Sequence, residues 1–108
     1  MDGEAKEKKL EEVTDRIVNE YKPKKIILFG SFAWGTPHKD SDFDLFIIKD
    51  TDERRIDRER EVQKILWGTK FPVDILVYTS EEVEHRLGLE DFFVQNILKN
   101  GKVLYSIS

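Results

Sequence analysis

Lys25 to Lys49 read KIILFGSFAWGTPHKDSDFDLFIIK, and this stretch decides the fold. It holds two short apolar runs, KIILF and LFIIK, separated by a polar loop that begins with a Gly-Ser pair. Short Ile-rich runs bounded by turn residues are typical of buried β-strands. The stretch therefore predicts one strand over residues 25–29, ended by Gly30, and a second strand over about residues 42–49.

The remaining segments predict two more strands and several helices. Apolar residues at helical spacing indicate a first helix over about residues 4–21. We expect Thr51 or Asp52 to cap the second helix and Ser80 to cap the third. The order predicts an α/β or α+β fold, a small mixed sheet of about four strands with helices packed on it, in a single domain of residues 1–108. The other expected elements are helices over about 51–67, 80–87 and 89–99, and strands over 73–78 and 102–105.

Apolar side chains of the later helices are expected to lie in the core because they recur at helical spacing. They are Ile56, Val62, Ile65, Leu66 and Trp67 in the helix over 51–67, and Phe92, Phe93 and Ile97 in the last helix.

Three aspartates on the predicted strands suggest a cation site. Side chains at i and i+2 of a strand point to the same side, so Asp42 and Asp44 should project together, about 6.5 to 7 Å apart along the chain. Asp74 lies within the apolar run VDILVY, where an ionised carboxylate is unfavourable unless it is paired, hydrogen-bonded or metal-bound. If the two strands are neighbours, each like-charge pair at about 5 Å costs about 3 kcal/mol. Carboxylates without His or Cys favour Mg²⁺.

The Gly30-Ser31 turn suggests an anion site beside these acids. A strand that ends in Gly-Ser can present successive backbone N–H groups to a phosphate, and the Ser31 hydroxyl adds a donor. The turn is not a P-loop, because Thr36 follows Gly35 where Lys is required. The acids from Asp40 onward do not form an EF-hand, because Leu45 stands where that loop needs Gly.

Composition excludes several classes of protein. The net charge of −4 argues against a non-specific grip on nucleic acid, and no direct nucleic-acid binding is expected. The chain has no cysteine, hence no disulfide or thiolate zinc site. No apolar run approaches the roughly 18 residues of a membrane span, so a cytoplasmic protein is expected.

Gly30-Ser31, Asp42-Phe43-Asp44 and Asp74 together resemble the nucleotidyltransferase superfamily typified by DNA polymerase beta, and within it the minimal nucleotidyltransferases of prokaryotes. The resemblance implies that Asp42, Asp44 and Asp74 bind Mg²⁺, with two ions expected. It also implies that Gly30-Ser31, with Asp42 and Asp44, holds ATP, and that Asp74 acts as the base. Trp34 departs from the G-S-x-A-R-G pattern of many relatives, in which this position is Arg. Lys39 or His38 could substitute for that Arg, although such loop side chains are usually only solvated.

The reaction that this resemblance implies is transfer of AMP from ATP to an acceptor hydroxyl, with release of pyrophosphate. Proteins like this are often antitoxins of toxin–antitoxin systems, which inactivate a HEPN-type RNase toxin by AMPylation of a tyrosine. Because 108 residues leave no room for a second substrate lobe, either a macromolecular acceptor or a homodimer groove would complete the site. Two alternatives remain open, a non-catalytic toxin-binding module and an antibiotic-modifying adenylyltransferase.

Overall fold

The computed structural model describes residues 3–30, 43–69 and 72–107. Within these residues the chain forms four helices and four strands in the predicted order. None of the helices in the described part is long and apolar enough to cross a bilayer. The elements are α1 (Gly3–Tyr21), β1 (Lys25–Phe29), β2 (Phe43–Ile48), α2 (Arg55–Ile65), β3 (Val73–Tyr78), α3 (Ser80–Gly88), α4 (Phe92–Asn100) and β4 (Lys102–Ser106).

The strands form one mixed sheet in the order β3-β2-β1-β4. β1 pairs antiparallel with both β2 and β4, whereas β2 and β3 run parallel and are joined through α2. The predicted fold class, a mixed four-stranded sheet with helices packed on it, is therefore confirmed. β3 is an edge strand of the sheet that the described residues form.

Each face of the sheet carries its own apolar cluster, because strand side chains alternate between the faces. On one face, residues such as Ile26 and Leu45 pack against α1 and α2. On the other face, residues such as Ile27 and Phe46 pack against α3 and α4. Leu76 and Tyr78 belong to this second face, so Asp74, two residues earlier, shares it as the alternation predicts.

Several helix boundaries differ from the prediction. α2 begins at Arg55, and Arg54 occupies its N-cap without a side-chain hydrogen bond, so neither Thr51 nor Asp52 caps it. Thr79 rather than Ser80 caps α3, through a reciprocal capping box with Glu82. Apolar periodicity places a helix start less exactly than side-chain capping does. At α3, Thr79 and Ser80 are adjacent hydroxyl residues that could each cap the helix, so the predicted cap was wrong by one position.

Four of the predicted core residues are exposed. Phe92 and Phe93 are 80% and 50% exposed, and Ile56 and Trp67 are 56% and 85% exposed. They lie near helix ends, where the apolar stripe no longer faces the sheet. Their neighbours Val62, Leu66 and Ile97 are buried as predicted, and Ile65 is partly buried.

A buried guanidinium joins α2, β3 and α3. Arg58 donates to the backbone oxygens of Glu53 at 2.7 Å and Val77 at 3.2 Å. It also donates to both carboxylate oxygens of Glu82, at 2.7 and 3.3 Å. The hydrogen bond from Arg58 is the main reason that the pKa of Glu82 lies below its usual value. The pair fixes α3 on the sheet with the donors of Arg58 satisfied.

Candidate active site

The turn after β1 brings the backbone against a carboxylate. Phe29 is the Cα partner of Asp44 across β1 and β2, and Gly30 follows with a φ of +77°. A Cβ added at Gly30 would overlap Oδ2 of Asp44 and lie 3.1 Å from its Cγ. Glycine is required here for two reasons, the left-handed backbone and the close approach of the Asp44 side chain.

Asp44 and Asp74 lie side by side. They are Cα partners in the parallel pair β2–β3, and partners in register point to the same face of a sheet. The sequence-based condition that their two strands be neighbours is therefore met. The arrangement places two carboxylates and the Gly30 turn together where β1 ends and β2 and β3 begin. We call Asp44, Asp74 and the Gly30 turn the carboxylate edge.

Asp74 lies within the apolar strand β3 as predicted, but its side chain is accessible to water. Asp74 is exposed, whereas Asp44 is half-buried. Asp74 is the second residue of β3, and among the described residues a strand pairs with β3 on one side only. Water screens a carboxylate in that position, and the acid remains within reach of a large partner.

Two of the predicted site residues, Asp42 and Ser31, lie outside the described residues, as do Trp34, His38 and Lys39. The predicted trio of carboxylates is thus represented by two members. Within residues 3–30, 43–69 and 72–107, no group of three or more potential metal-binding side chains comes together. The donor chemistry nevertheless fits magnesium, since Mg²⁺ is commonly bound through one or two carboxylates plus phosphate oxygens and water.

One aromatic contact next to the site was not anticipated from the sequence. The rings of Phe29 and Phe93 meet edge-to-face with centroids 5.8 Å apart. Phe29 directly precedes Gly30, so this contact connects the start of α4 to the glycine turn. The partial exposure of Phe93 is the property that apolar periodicity alone could not supply.

A groove of about 820 Å³ lies at the opposite end of β2 and β3, between the starts of α2 and α3. Tyr78 ends β3 four residues after Asp74, a separation of about 13 Å along a strand. Charged groups in the groove pair with one another. Ser80 N–H donates to Asp50 at 2.8 Å and Lys24 donates at 3.2 Å, and these bonds lower the pKa of the Asp50 carboxyl. The groove is therefore a junction between elements and is separate from the carboxylate edge.

The family model described as nucleotidyltransferase domain matches residues 7–104 of the chain. The chain belongs to this family. The match covers both described carboxylates and the Gly30 turn, so the enzyme class is nucleotidyltransferase. Membership of this family confirms the resemblance to nucleotidyltransferases that the Gly-Ser and Asp-x-Asp pattern indicated.

A curated relative supports the assignment, and two solved structures share the fold. A protein of Methanocaldococcus jannaschii, named as a candidate protein adenylyltransferase, is 32% identical over an alignment of 102 residues that covers 92% of this chain and 97% of the relative. Crystal structures of two mutants of the toxin–antitoxin MntA–HpeT contain a chain with the same fold. The TM-scores are 0.62 and 0.61 at 21% and 22% identity, over 91% of this chain and 73% and 72% of the others.

Proposed function

We propose that this chain transfers AMP from ATP to a hydroxyl group of a partner protein, with Mg²⁺ as cofactor, and that the partner is a toxin of the HEPN type. The observation that carries the proposal is the register of Asp44 and Asp74 beside the Gly30 turn. The relative named as a candidate protein adenylyltransferase supports AMP and a protein acceptor. The fold shared with a chain of a toxin–antitoxin complex supports a toxin as that acceptor.

The residues of the carboxylate edge would divide the binding work. Asp42, Asp44 and Asp74 would hold magnesium, which neutralises negative charge on the triphosphate and on the leaving pyrophosphate. Gly30 leaves room for a phosphate to approach the backbone, and Ser31 supplies a further donor. Asp44, which lies against Gly30, would keep the metal ligands and the phosphate anchor at a fixed separation.

In the proposed reaction Asp74 accepts the proton of the acceptor hydroxyl. The acceptor oxygen then forms a bond to the α-phosphorus, and the bond from that phosphorus to the bridging oxygen of the β-phosphate breaks. AMP remains on the acceptor, and pyrophosphate leaves with the electron pair. The exposure of Asp74 on an edge strand suits this role, because a hydroxyl on another protein has to reach the base.

The test uses ATP labelled on either the α- or the γ-phosphate, incubated with the purified chain, Mg²⁺ and the purified product of the adjacent reading frame. We expect α-label, and no γ-label, on the partner. EDTA, Asp44→Asn and Asp74→Asn should each abolish it, whereas the exposed Asp15→Asn should not. Neutralisation of the partner without label, and unaffected by Asp44→Asn, would instead identify a contact-only binding module. Label on an antibiotic added to a parallel reaction, but on no protein, would identify a drug-modifying enzyme.

A further inference from the structure

The outward face of α4 presents aromatic rings and amides next to the carboxylate edge. A shallow groove of about 560 Å³ follows this face, and we call it the α4 groove. Phe92 is 80% exposed there, although a Phe side chain normally contributes to a core or an interface. The groove is lined by Phe92, Phe93, Gln95, Asn96, Lys99 and Asn100.

One aromatic contact connects the α4 groove to the candidate active site. Phe93 packs on Phe29 at 5.8 Å, and Phe29 is both the strand partner of Asp44 and the residue before Gly30. Asp44 and Asp74 also lie on the face of the sheet that α4 covers, because Phe46 and Leu76, two residues further along each strand, belong to that apolar cluster. A molecule bound along the groove would therefore extend toward the two carboxylates.

The charge of the groove selects a type of partner. Lys99 is the charged side chain among the described residues that line it, on a chain whose net charge is −4. The side-chain amides of Asn96 and Asn100 bond to each other at 2.6 Å, and Gln95 adds another amide. Amides can bind a peptide backbone, an exposed ring can anchor an apolar side chain, and Lys99 favours a neutral or acidic segment.

We propose that the α4 groove docks an apolar, neutral-to-acidic segment of the protein whose hydroxyl accepts the nucleotide. This inference rests on the proposed function, since it assigns the surface that holds the acceptor. Phe92 is the anchor of the docked segment, and Lys99 contributes charge complementarity. Docking beside the carboxylates would hold the acceptor hydroxyl close to the reacting phosphate.

The experiment measures binding and transfer separately, with the purified product of the adjacent reading frame as the probe. Calorimetry without nucleotide gives the affinity for the partner, and α-label transfer gives KM and kcat. We expect Phe92→Ala and Lys99→Glu each to weaken binding and raise the partner KM at least tenfold, while kcat and Mg–ATP affinity stay unchanged. Ile56→Ala is the matched control, because Ile56 is 56% exposed but lies at the start of α2, away from the carboxylate edge.

Three results would overturn the docking proposal. If Phe92→Ala leaves the affinity for the partner unchanged, Phe92 does not anchor the docked segment. Loss of Mg–ATP affinity in the same variant makes the ring a wall of the nucleotide site instead. If Phe92→Ala changes the oligomeric state of the chain in the absence of the partner, the groove is a contact between two copies of the chain. In contrast, tenfold weaker partner binding in Phe92→Ala together with no label transfer by the wild type supports docking while the proposed transfer reaction fails.

Discussion

Replacing Gly30 with alanine tests whether the glycine turn and Asp44 work as one unit. Gly30 has a φ of +77°, and its missing Cβ leaves the space that Oδ2 of Asp44 occupies. Gly30→Ala should therefore strain the backbone and displace the carboxylate at the same time. Gly68→Ala is the matched control, because Gly68 has a φ of +93° but its added Cβ would meet no heavy atom of the described residues, apart from its chain neighbours, within 4 Å.

The backbone strain is the same in both variants, whereas only Gly30→Ala is also overpacked. A non-glycine residue in the left-handed region costs about 1–2 kcal/mol, and both variants bear this cost. Gly30→Ala bears in addition an overpacking cost of about 1–3 kcal/mol, because Asp44 Cγ would lie only 3.1 Å from the new Cβ. We expect Gly68→Ala to lose about 1–2 kcal/mol of stability and Gly30→Ala about 2–5 kcal/mol.

Urea unfolding and Mg–ATP titration of the same preparations measure the two consequences. Gly30→Ala should bind Mg–ATP at least tenfold more weakly, whereas Gly68→Ala should bind it like the wild type. Adding Asp44→Ala to Gly30→Ala should recover part of the stability, because Asp44 Cβ lies at an ordinary 3.4 Å. It should not recover binding. Equal stability losses in the two glycine variants, with Mg–ATP binding intact in both, would refute the reasoning.

Three further predictions concern single side chains. Asp74→Asn should lower the transfer rate at least about 100-fold with an unchanged melting temperature, because Asp74 is exposed and proposed as the base; retained transfer would remove that role. Glu82→Gln should cost about 1–2 kcal/mol in urea unfolding because Arg58 loses its charged partner, while exposed Glu84→Gln should change stability by under about 0.5 kcal/mol. Folding lowers the pKa of Glu82, so the stability difference between the wild type and Glu82→Gln should be complete above the ordinary pKa of 4.5 and should disappear as the pH falls through the folded pKa. A stability difference that persists at pH 2 would contradict this. Burial raises the pKa of Tyr21 to about 12, so the wild type should lose stability relative to Tyr21→Phe as pH rises from 10 to 12, and parallel curves would argue against that shift.

The strands could be predicted because short apolar runs and turn residues carry that information locally. The bounds predicted for β1 and β3 are those observed. The alternation that puts Asp74 on the face of Leu76 and Tyr78 follows from the period of two in a strand, so it was readable from VDILVY alone. The register that aligns Asp44 with Asp74 depends on how two distant segments pair, and the sequence supplied it only as a condition.

Exposure was the property that the sequence could not supply. Whether Asp74 is covered depends on β3 being an edge strand, which is a consequence of strand order. Phe92 and Phe93 were predicted to lie in the core, yet at the start of α4 they are 80% and 50% exposed. Helix starts were predicted to within a few residues, because caps such as Asp91, which accepts from the N–H groups of Phe93 and Val94, are local hydrogen-bond choices among several candidates.

Calorimetric titration of a non-hydrolysable ATP analogue, with Mg²⁺ and then with EDTA, tests the central claim most directly. The claim is that the carboxylate edge and the Gly30 turn form one magnesium–nucleotide site. We predict binding to one site that requires Mg²⁺, is lost in Asp44→Asn and is retained in Asp15→Asn. Binding that is absent, that persists in EDTA, or that is equally strong in Asp44→Asn would contradict the account.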